Sequence, residues 1–160
     1  MKKFFIFLVL LFLALILQLT LAGWTRRVSI DFFLVFVIYW SYSTKKLNEA
    51  VLSGFFSGLL KDIFFFPLLG INAFSFVLVS FLVNEIEGRI YHQNIILFTM
   101  VVALASLIHS LITSIWLQVF SYLPFYSTFK ASLYPAIIYN CILCFIVFLV
   151  KEGALKKSTL

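Results

Sequence analysis

Three observations predict an all-α fold, a polytopic membrane bundle of about six transmembrane helices. The chain of 160 residues is 64% hydrophobic and only 11% charged, against about 25% charged in a soluble globular domain. So few polar residues cannot clothe such a chain in water, so lipid must be the solvent for most of it. The apolar runs are continuous, without the apolar-out, polar-in alternation of barrel strands. The basic residues behind the +6 net charge fall in short clusters between those runs, as orientation signals do. No stripe of Lys and Arg interleaves with aromatics on a polar surface, which argues against nucleic acid as a partner.

The first segment covers 4–22, behind Lys2 and Lys3 and ahead of Trp24. Thr20-Leu21-Ala22 faintly resembles a cleavage site, but the apolar stretch exceeds the roughly 7–15 residues of a signal core and reads as a membrane helix. The second, 28–42, lies between Arg26-Arg27 and Lys45-Lys46 and is short for a hydrocarbon core of about 30 Å. Ser29 is placed to cap it, with Asp31 in the first turn against the helix dipole. The third and fourth, 47–66 and 68–83, meet in a tight hairpin at Pro67 to Gly70. Residues 84–94 read as a polar loop, followed by a fifth segment over 95–120, a sixth over 131–150 and a polar tail. One transmembrane domain, 1–160, accounts for the whole chain.

Orientation follows from the basic residues. With the N-terminus inside, Lys2, Lys3, Lys45, Lys46, Arg89, Lys151, Lys156 and Lys157 lie on the cytoplasmic side, against Arg26, Arg27 and Lys130 outside. That bias puts both termini in the cytoplasm. Trp24, Trp116 and Tyr122 then fall at the outer interface and Trp40 and Tyr91 at the inner one, as an aromatic belt requires.

Lys61 and Asp62 stand side by side inside a long apolar run, where each ionised group costs roughly 2.5–3.5 kcal/mol on insertion scales. Adjacent on a helix, their side chains diverge by about 100°. Lys61, near the outer end, is expected to snorkel to the interface. Asp62 is expected to accept hydrogen bonds from another helix, from the backbone around Gly70-Ile71-Asn72, or from a partner. Gly54, Gly58 and Asp62 share one face by their spacing of four, with Ser53 and Ser57 beside them. Such small residues let helix backbones approach closely, within the bundle or against a partner.

No catalytic constellation emerges. Ser57 and His109 suggest an intramembrane protease, but Phe55-Phe56-Ser57-Gly58 lacks the leading glycine of that signature. Ser106, His109, Ser110 and Thr113 form a polar stripe of the kind that packs helices together. Cys141 and Cys144 have Cys-x-x-Cys spacing but no second pair, and serve as small apolar fillers. Glu85 and Glu87 read as solvated loop residues. No metal site or cofactor is predicted.

Residues Gly54 to Leu82 resemble the MreD family of rod shape-determining membrane proteins. The resemblance rests on Gly54-Phe-Phe-Ser-Gly58-Leu-Leu-Lys-Asp62 and Leu69-Gly70-Ile-Asn72-Ala73, and on Asp31 opening a second helix that ends at Tyr39-Trp40. Ile30 stands where the family often has proline. The resemblance implies a non-enzymatic subunit of the bacterial cell-elongation complex in the inner membrane. It would bind MreC and, through it, MreB, RodA and a penicillin-binding protein that build lateral peptidoglycan. It also implies a fold like the substrate-binding subunits of energy-coupling-factor vitamin transporters. The rival expectation is therefore a small-molecule binding subunit, drawing on Arg26, Arg27, Asp31, Asn72, Tyr126 and Lys130. Asp31, Gly54, Gly58, Lys61, Asp62, Gly70 and Asn72 are the candidate partner-binding or helix-packing residues.

Overall fold

The computed structural model describes residues 2–24, 31–44, 46–65, 69–87, 95–121 and 124–157. Ser29, Arg26, Arg27, Lys45, Pro67, Arg89, Tyr91 and Tyr122 lie outside the described residues, as do the side chains of Trp24 and Cys144. The described residues form six helices: α1 (Lys2–Trp24), α2 (Phe32–Ser43), α3 (Leu47–Phe65), α4 (Ile71–Glu87), α5 (Ile95–Ser121) and α6 (Phe125–Lys157).

The shortest helix is the centre of the bundle. With 12 residues, α2 is only about 18 Å long, yet α1, α3, α4, α5 and α6 all pack against it. Phe33, Leu34, Val37 and Ile38 have no accessible surface. A helix surrounded on all sides has no polar face to spare, and this one reads Phe-Phe-Leu-Val-Phe-Val-Ile without interruption. α3 and α4 form one tightly packed hairpin, and α5 and α6 another. α1 lies at the edge, its Phe7 ring against Phe36 and Trp40 at centroid distances of 5.5 and 5.2 Å.

The surface is inverted relative to a water-soluble protein. Phe5, Phe12, Ile63, Leu69, Met100 and Val119 are all more than half exposed, while Asp62, Asn72, Ser75, Ser106 and Asn140 are buried. Among the described residues, Phe98–Phe120, at 23 residues, is long and apolar enough to cross a bilayer; the apolar stretches Phe5–Thr20, Phe32–Ser43 and Ile71–Ile86 are shorter.

Several element boundaries differ from the sequence expectation, and α6 also runs on to Lys157 through the expected polar tail. α2 is capped by Asp31 itself, whose Oδ1 accepts the Leu34 N–H at 3.1 Å. α4 runs on to Glu87, through what reads as loop, because Asn84 has a task. Its Nδ2 donates to the carbonyls of Ser41 (3.1 Å) and Thr44 (2.7 Å), satisfying acceptors that the end of α2 leaves free. α6 begins at Phe125, six residues before the apolar stretch. Its first turns contain Ser127 and Thr128, whose hydroxyls donate to the Pro124 carbonyl at 2.9 and 3.0 Å. Hydropathy reports where the solvent changes, whereas backbone hydrogen bonding decides where a helix ends.

Candidate functional site

Charge inside a bundle of this composition has to be neutralised by the bundle itself. The structure does so at two adjoining points, built from the ends of α2, α3 and α4 and the middle of α5.

At the first point, Lys61 of α3 forms an ion pair with Asp31 Oδ2 at the start of α2. His109 of α5 completes a triad: its Nε2 lies 3.3 Å from Asp31 Oδ2 and 3.4 Å from Lys61 Nζ. Its Nδ1 is 2.7 Å from Ser75 Oγ of α4. From α6, Asn140 accepts the Asp31 backbone N–H at 3.3 Å and donates to Ser106 Oγ at 3.2 Å. The Lys61 ammonium also sits 5.1 Å from the centre of the Phe76 ring, in cation–π range. One hydrogen-bonded network thus ties together α2, α3, α4, α5 and α6. Lys61 is only 8% exposed, so it does not snorkel to the interface. A carboxylate and an imidazole within reach give the ammonium its partners inside the bundle.

At the second point, Asp62 turns the other way, as adjacent helical positions must. It is fully buried and caps α4. Oδ2 accepts the backbone N–H groups of Gly70 (2.9 Å) and Ala73 (3.1 Å). Oδ1 accepts from Asn72 through its backbone N–H (3.1 Å) and its Nδ2 (2.7 Å). Of the partners open to Asp62, the backbone around Gly70-Ile71-Asn72 is the one it uses. The chain can return so tightly because Gly70 adopts φ +99°, a left-handed conformation that favours glycine.

Gly54 and Gly58 face α4. A β-carbon on Gly58 would lie 2.5 Å from both the Ala73 nitrogen and the Asn72 carbonyl oxygen; on Gly54 it would meet the Phe76 carbonyl oxygen at 2.5 Å and the Ser80 hydroxyl. At Gly54 and Gly58 the small-residue face is therefore packed against α4, the first of the two alternatives its spacing offers. Gly58→Ala is expected to push α3 and α4 apart and to destabilise the fold by about 1–3 kcal/mol. Thermal unfolding in detergent measures this, and an unchanged midpoint would contradict the close approach.

Sequence reasoning missed His109 as an ionic partner, reading it as one member of a packing stripe, and passed over Ser75 and Asn140. The signal for Asn140 was present: a carboxamide isolated between Ile137-Ile138-Tyr139 and Cys141-Ile142-Leu143 is placed by the same logic as Lys61. Among the described residues, no group of His, Cys, Asp and Glu has the arrangement of a metal site. Ser57 Oγ is buried without a hydrogen-bond partner, whereas His109 is engaged through both ring nitrogens.

Residues 1–156 match the family described as rod shape-determining protein MreD. No curated protein and no solved structure matches the chain. A match over nearly the entire length, including the Gly54–Asp62 and Leu69–Ala73 elements whose packing is described above, places the chain in the MreD family of membrane-associated, rod shape-determining proteins.

Proposed function

We propose that the protein is a non-enzymatic scaffold that crosses the inner membrane several times, with both termini in the cytoplasm. It binds MreC and supports MreB-directed lateral peptidoglycan synthesis by RodA and a penicillin-binding protein. The observation that carries this reading is the engagement of the interior ionisable groups. Asp31, Lys61, Asp62 and His109 are bonded to other groups of the same chain, so the cluster serves to hold helices in place. Contacts with a partner then fall to the outward apolar side chains, which suits a neighbour that itself lies in lipid.

The rival reading, a vitamin-type binding subunit like those of energy-coupling-factor transporters, calls for polar groups converging on a cavity. Asp31 and Asn72, two of the groups it would use, are already bonded within the bundle. The apolar furrow between α4 and α5, lined by Val79, Val83, Val101 and Ala105, has room for about 10 Å³.

Affinity purification in mild detergent, with partners identified by mass spectrometry, tests the proposal. MreC is expected to co-purify. Absence of MreC, or a vitamin retained through purification, would overturn it.

A further inference from the structure

The triad carries a consequence independent of any partner. Asp31 and Asp62 against Lys61 leave one negative charge in the cluster, and the positive ends of α2 and α4, about half a charge each, offset it. The cluster is thus balanced with His109 neutral. Among the described residues, the charged groups that act on the imidazole are Asp31 from the start of α2, and Lys61 and Asp62 from α3. α4 presents the uncharged Ser75 and the Phe76 ring, 5.1 Å from the imidazole, while Asn140 of α6 is bonded to the Asp31 N–H and to Ser106.

We propose that His109 is a proton-operated latch on the junction between α2 and α3. With a neutral ring, Lys61 holds Asp31 Oδ2. When a proton is taken up at the imidazole, Nε2–H and Nδ1–H both become donors, to Asp31 and Ser75 respectively. Two cations 3.4 Å apart then compete for the same carboxylate oxygen, in a place where the added charge has no counter-ion. Lys61 is displaced, and the start of α2 then depends on the 3.3 Å contact of Asp31 with the imidazolium in place of its tighter tie to α3. Asp31, Lys61 and His109 keep 7, 8 and 7% of their surface accessible, whereas Asp62 and Asn72 keep none.

The Asp62 cap on α4 has no imidazole among its partners and provides an internal control. Amide hydrogen exchange of the purified protein in phospholipid nanodiscs, corrected for intrinsic rates, is expected to rise severalfold in the first turn of α2 as the pH is lowered from about 8 to about 4. The first turn of α4 should stay flat, and His109→Gln should abolish the rise in α2. A parallel change in both turns, or a rise that persists in His109→Gln, overturns the latch. Should that variant fail to fold, ring-labelled histidine NMR decides, with the other of the two histidines removed by His92→Gln. An imidazole that keeps one charge state across this range refutes the proposal, and one that titrates together with the α2 amides supports it.

Discussion

Lys61→Met is expected to lose about 3–5 kcal/mol of stability, because it leaves Asp31 ionised inside the bundle without its cation. Methionine fills a similar volume, so packing changes little and the loss reports on charge. Asp31→Asn combined with Lys61→Met should recover most of it: asparagine still caps α2, and removing both charges also removes the desolvation penalty. The pH dependence should differ in sign from that of the intact triad. In Lys61→Met, His109 remains 3.3 Å from the Asp31 carboxylate, so a proton on the imidazole now supplies the missing cation. Acid should therefore stabilise this variant while it loosens the parent protein. Unfolding in detergent at several pH values measures both effects. A single variant as stable as the parent, or a double variant no better than the single, would mean that the ion pair does not govern this junction.

The sequence made the bundle, its helix count and the importance of Lys61 and Asp62 legible, because each rests on a local property. Apolar length reads out lipid, and an ionised side chain in lipid demands a partner. The divergence of Lys61 from Asp62, and the use of Gly70-Ile71-Asn72 by Asp62, follow from helical geometry and from a separation of only eight to eleven residues. Long-range pairing was not legible. Asp31 lies 30 residues from Lys61 and 109 from Asn140, and no periodicity within either segment specifies such a match. Snorkelling failed as an expectation for the same reason: it weighs one side chain against the bilayer and ignores what other helices bring. The ends of α4 and α6 were misplaced because hydropathy cannot see Asn84 reaching across to cap α2, or hydroxyls that close the first turn of α6.

Asp62→Ala should be the most damaging change to the hairpin. It removes one carboxylate but strands four donors: three backbone N–H groups, of Gly70, Asn72 and Ala73, and the Asn72 amide. Each buried donor left unsatisfied costs about 1–3 kcal/mol, so the loss amounts to several kcal/mol even after partial relaxation. Asp62→Asn keeps one acceptor oxygen but turns an NH₂ group towards the remaining donors, so it should recover only part of the loss. Membrane insertion depends on the apolar length of the segments and should survive. The register of α4 against α3 depends on the cap, and with it the position of Asn84 at the end of α2 and of Ser75 beside His109. Both variants should therefore accumulate in the membrane, unfold at lower temperature in detergent, and show weaker MreC co-purification in the order parent, Asn, Ala. If Asp62→Ala keeps the parent's unfolding temperature, the carboxylate does not hold the hairpin. If it unfolds early yet recovers MreC undiminished, the partner must dock on helices that do not rely on α4.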